Sequence, residues 1–69
     1  MRVEIQHKQS DCQWNVFIVA DDGRRELKAW HAGDHCDANE RRYARERAQV
    51  DARIIARDRG HAKITRTVV

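Results

Sequence analysis

Proline is absent from this chain, glycine occurs three times, and no apolar run approaches the ~20 residues that a membrane-spanning helix needs. Without proline, nothing forces a long helix to break. With glycine only at Gly23, Gly33 and Gly60, there is no glycine-rich loop to cradle phosphates. The G-x-S-x-G and H-E-x-x-H patterns are missing too, which removes two familiar hydrolase signatures. The two cysteines, Cys12 and Cys36, stand singly and 24 positions apart, not as the C-x2-C pairs of small zinc domains. There is no internal repeat and no low-complexity tract.

Length adds its own exclusions. Sixty-nine residues make one domain, 1–69, which buries only roughly 60% of the surface its unfolded chain exposes. A deep, water-excluding catalytic centre is hard to build on so small a core, whereas self-association hides further apolar area. The expectation is a binding module without enzymatic activity, metal or cofactor. The first residues, MRVEIQHKQ, alternate polar and apolar and carry no apolar segment of the signal-peptide kind, so the protein reads as cytoplasmic with reduced thiols.

What is present divides cleanly at the glycines. RVEIQHK alternates, with Val3, Ile5 and His7 on one side and Arg2, Glu4, Gln6 and Lys8 on the other, as in a half-buried strand. QSDCQ is a turn. WNVFIVA is β-branched and aromatic throughout, the composition of a central strand. Asp22-Gly23 marks a hairpin, and RELKAWHA makes a third strand with Leu27, Ala29 and His31 on one side and Glu26, Lys28 and Trp30 on the other. Asp37 and Glu40 match a capping box, and a helix follows from Ala38 to Asp58 with Gly60 as its stop. HAKITRTVV closes the chain as a fourth strand, with Ile64 and Val68 on one side.

The element order β-β-β-α-β defines an α+β fold: a four-stranded, mostly antiparallel sheet with one long helix packed on one face. Strand order 3-2-1-4 is favoured, because a helix of roughly 30 Å can carry the chain across the small sheet. At 100° per residue, Tyr43, Val50 and Ile54 form the stripe expected to face the sheet, extended by Ala44, Ala48 and Ile55. Arg47 and Asp51 fall inside or at the edge of that arc, so either they form a partly buried pair against the sheet or the stripe is narrower than these residues imply.

Three constellations carry possible function. In HAGDHCD, residues 31–37, two histidines, a cysteine and two aspartates crowd together, and the topology brings the turn holding Cys12 towards His31, His35 and Cys36. The spacing argues for a polar connection rather than a metal or thiol centre. In the helix, Arg41, Arg42, Arg45, Arg53 and Arg57 lie opposite or beside the apolar stripe. Guanidinium groups in such a row track phosphates or dock on an acidic protein surface, with Glu46 available to neutralise Arg42 or Arg53. On the sheet, Phe17, Val19 and Trp30 are expected on the face away from the helix, as a homodimer interface, a partner site or a base-stacking platform.

The run WNVFIVADDGRRELKAW followed by a loop and a helix loosely resembles the arm-binding domains of phage integrases, which lay a three-stranded sheet in the DNA major groove. The likeness spans about half the chain, and the fourth strand departs from that plan. A compact chain without catalytic motifs also resembles in type the small proteins of phages and mobile elements, inhibitors of host defence complexes among them. Nucleic acid is the leading expected ligand. A protein-binding regulator or inhibitor, acting through the sheet face or the arginine helix, is the alternative.

Overall fold

The computed structural model describes residues 1–34 and 37–69. Strands β1 (Arg2–Lys8), β2 (Gln13–Val19) and β3 (Arg25–Ala32) are followed by helix α1 (Ala38–Asp58) and strand β4 (Lys63–Val68). The sheet has the order β3-β2-β1-β4. The β1/β2 and β2/β3 pairs are antiparallel and the β1/β4 pair is parallel, so the sheet is mixed. The α+β class, the four strands and the long helix on one face are as the sequence patterning implies.

Local chemistry explains each boundary. Between β2 and β3, Gly23 takes φ 91°, a left-handed conformation that suits glycine, and its N–H donates to the Ala20 carbonyl at 2.9 Å. Asp37 caps α1, its Oδ1 accepting from the N–H groups of Asn39 at 2.9 Å and Glu40 at 3.2 Å. Glu40 does not close the expected box onto Asp37. Its carboxylate accepts from the Asp34 N–H at 3.1 Å instead, tying the loop to the helix. At the other end Gly60 and His61 both adopt positive φ and turn the chain back towards β4.

The core lies between the helix and one face of the sheet. Val3, Ile5, Trp14 and Val16 meet a row of alanines, Ala44, Ala48, Ala52 and Ala56, spaced one turn apart. This corrects the expected stripe: Tyr43, Val50 and Ile54 are 63%, 41% and 54% exposed and point away from the sheet. Two forces set the roll. Alanines let the helix sit close enough for the larger strand side chains to fill the gap. The alternative roll would bring Arg47 onto the apolar layer, and burying an unpaired charge is costly. The Arg47–Asp51 pair is likewise replaced: Asp51 contacts His31 of β3, its Oδ2 lying 2.5 Å from Nε2, while the Arg47 guanidinium sits 6.0 Å from the Tyr43 ring centroid.

A bulge corrects the expected phase of β3. Val16 pairs with Ala29 but Phe17 pairs with Leu27, which leaves Lys28 as an extra residue. Ala29 and His31 therefore share the helix side, and Leu27 joins Trp30 on the open side. Close approach also constrains Gly33. A Cβ there would lie 2.8 Å from the Arg41 Cα and N atoms, so the loop can pass the first turn of α1 only with glycine. Gly33→Ala and Ala48→Leu are each expected to destabilise the fold by about 1–3 kcal/mol through overpacking, read as a lower urea midpoint at unchanged m-value.

Candidate functional site

The N-terminal half of α1 and the turn between β1 and β2 enclose a cleft of about 380 Å³. Its walls are His7, Gln9, Cys12, Trp14, Ala38, Arg41, Arg42 and Arg45. The strand pattern explains the aromatic side. His7 and Trp14 are cross-strand partners on the helix side of β1 and β2, and their rings stack with centroids 4.3 Å apart and planes inclined by 6°. Trp14 is buried and His7 half-buried beside it. Helical spacing explains the basic side: Arg41 and Arg45 lie one turn apart, and Arg42, next to Arg41 and three residues before Arg45, widens the same flank of α1 over this end of the sheet.

Electrostatically the cleft is one-sided. Arg42 and Arg45 form no ion pair with any described residue. Arg42 donates to the Asn39 side-chain carbonyl at 3.3 Å, and Arg41 reaches the Asp34 carbonyl at 3.5 Å. Glu46 neutralises neither Arg42 nor Arg53. Asp11, the acid in the adjoining turn, is held by Lys8 at 3.0 Å. A second, smaller hollow of about 170 Å³ shares His7, Trp14 and Arg45 and continues along the helix past Gln49 to Arg66, Thr67 and Val68. Together the two hollows make a trough with arginines along it and an aromatic pair in its floor.

The structure thus gathers three of the five expected helix arginines, Arg41, Arg42 and Arg45, and leaves Arg53 and Arg57 exposed outside the trough. Sequence reasoning missed Gln9, Gln49, Trp14, His7 and Arg66 as lining residues. Arg66 carried a usable signal, since it falls in phase with Ile64 and Val68 and so lies on the helix side of β4.

The open sheet face differs from expectation in its continuity. Phe17, Val19 and Trp30 do share it, but Arg25 folds over Phe17 with its guanidinium carbon 4.1 Å from the ring centroid. From there Arg25 donates from Nε and Nη2 to the buried Glu4 carboxylate, each at 3.1 Å. Thr67 donates to the same carboxylate at 2.6 Å, and Gln13, Asn15 and Gln6 form a hydrogen-bonded row alongside. Val19 is 1% exposed and Phe17 is half-buried beneath Arg25, so the large apolar side chains left well exposed there are Trp30 and Leu27, at the β3 edge. On that edge the Glu26 carboxyl is held below its ordinary value by a hydrogen bond from Lys28 and by that lysine's charge.

Of the proposed His/Cys constellation, His35 and Cys36 lie outside the described residues. Cys12 is buried beside the cleft, its carbonyl accepting from the Gly33 N–H at 3.0 Å, while His31 is engaged with Asp51. Among the described residues no three His, Cys, Asp or Glu side chains come together as a metal site. No helix among the described residues is long and apolar enough to cross a membrane.

Fold and trough together define a small α+β domain with a basic, aromatic-floored groove beside its single helix. No family model matches the chain, and no curated protein or solved structure matches it either.

His7→Ala should uncover the Trp14 ring; with Trp30→Phe as background, Trp14 emission is expected to shift to the red. Asp51→Ala should cost about 1 kcal/mol, since the His31–Asp51 pair is only partly shielded from water, and thermal unfolding reads the loss.

Proposed function

We propose that this chain is a non-enzymatic nucleic-acid-binding module whose phosphate-holding residues are Arg41, Arg42 and Arg45. The observation that carries the reading is the meeting of these three guanidinium groups, two of them without an acidic partner among the described residues, with the His7–Trp14 stack in one cleft. Guanidinium groups bind phosphate oxygens in a bidentate fork, and an aromatic wall beside them suits a planar base. Arg66 continues the cationic track along the trough. The size of the cleft matches a nucleotide-sized group rather than an extended protein segment.

Fluorescence anisotropy with labelled single-stranded RNA and random duplex DNA tests this. Binding at about 50 mM salt is expected, weakening with a log–log slope of roughly 2 to 3 if three phosphates are held. Arg42→Ala combined with Arg45→Ala should abolish most of the binding, whereas Arg57→Ala should leave it close to the wild-type level. Absence of binding to either nucleic acid at low salt overturns the reading.

A second reading rests on Trp30 and Leu27, which are 56% and 50% exposed on the outermost strand β3. An exposed tryptophan at a sheet edge is the kind of anchor a protein partner uses, and it supports a protein-binding regulator of the sort found among phage and mobile-element proteins. The two readings separate on one variant: Trp30→Ala should spare nucleic-acid binding and remove a protein complex.

A further inference from the structure

The outer side of α1 carries a second pattern, independent of the trough. Tyr43, Arg47, Val50, Ile54 and Arg57 are spaced by four, three, four and three residues, the step of a heptad seam. All five are exposed, and at 100° per residue their stripe lies on the side of the helix opposite the alanine row. The seam is therefore the helix surface farthest from the sheet, and the fold leaves it fully accessible.

Its charges are arranged about a centre. Tyr43 and Arg57 lie seven residues before and after Val50. Arg47 and Ile54 bracket the same point, and so do Glu46 and Arg53, which line one flank of the seam. Glu46, Arg53 and Arg57 form no ion pair with any described residue.

We infer that this seam is the interface of a homodimer in which two copies of α1 pack antiparallel across a two-fold axis near Val50. That operation sets Val50 against Val50 of the second copy. It sets Glu46 against the second copy's Arg53, and Tyr43 against the second copy's Arg57, each twice. A parallel pairing would instead bring Arg47 onto Arg47 and Arg57 onto Arg57, a repulsion that selects the antiparallel arrangement. The seam runs about 21 Å from Tyr43 to Arg57, a short interface, so the dimer is reversible and concentration-dependent. Arg53 and Arg57 gain a role that the trough does not give them. The inference does not rest on the proposed nucleic-acid reading, because the two surfaces share no residue.

Sedimentation equilibrium of the full chain, free of nucleic acid, tests it. The mass is expected to rise from 8.1 kDa towards twice that value as concentration increases to about 1 mM. Val50→Asp, at an exposed position, should hold the chain monomeric with an unchanged circular dichroism spectrum. Glu46→Arg alone and Arg53→Glu alone should each weaken the dimer at least about tenfold, because each places two like-charge contacts in it. The double exchange Glu46→Arg with Arg53→Glu should restore it. A chain that stays monomeric throughout, a dimer indifferent to Val50→Asp, or a double exchange that fails to recover association overturns the proposal.

Discussion

The seating of one helix on one sheet through a row of alanines governs the rest of this molecule. Ala44, Ala48, Ala52 and Ala56 contribute little apolar area themselves. Their effect is to bring the helix backbone near the strands, so that Val3, Ile5, Trp14 and Val16 fill the space between. Gly33 belongs to the same constraint, because the loop into α1 passes against the Arg41 backbone at a separation that admits no Cβ. A helix held this close has no freedom to roll, and its roll decides which side chains reach solvent.

Two surfaces follow from that one decision. On the flank over the β1–β2 turn, Arg41, Arg42 and Arg45 overhang the His7–Trp14 stack and form a basic trough. On the far side, Tyr43, Val50 and Ile54 are turned outward. Had the helix rested on its larger apolar residues, Arg47 would have been drawn onto the sheet and the outer seam would not exist. The open face of the sheet is shaped by a different interaction, the buried Glu4 carboxylate held by the Arg25 fork and Thr67. That network closes most of the face with polar groups and leaves Trp30 and Leu27 as its apolar remnant.

Much of the fold could be read directly. Strict alternation in RVEIQHK, the Asp22-Gly23 turn, the uninterrupted stretch from Ala38 and the stop at Gly60 gave strands, hairpin and helix in their observed places, because each is a property of neighbouring residues. The candidate site was harder. The arginines were conspicuous, but which of them act together depends on helix roll. The stacking of His7 on Trp14 depends on the β1/β2 register. The bulge at Val16 and Phe17, which moves Leu27 to the other side of β3, leaves no mark that periodicity would detect.

The sequence by itself determined the elements, their order and the cationic character of the helix, since backbone propensity, turn chemistry and charge are local quantities. Only the tertiary structure decided which stripe of the helix is inside. Two apolar stripes compete on α1, and hydrophobicity alone favours the bulkier one. Close packing and the cost of burying Arg47 favour the alanines, and those terms exist only once a sheet is there to pack against.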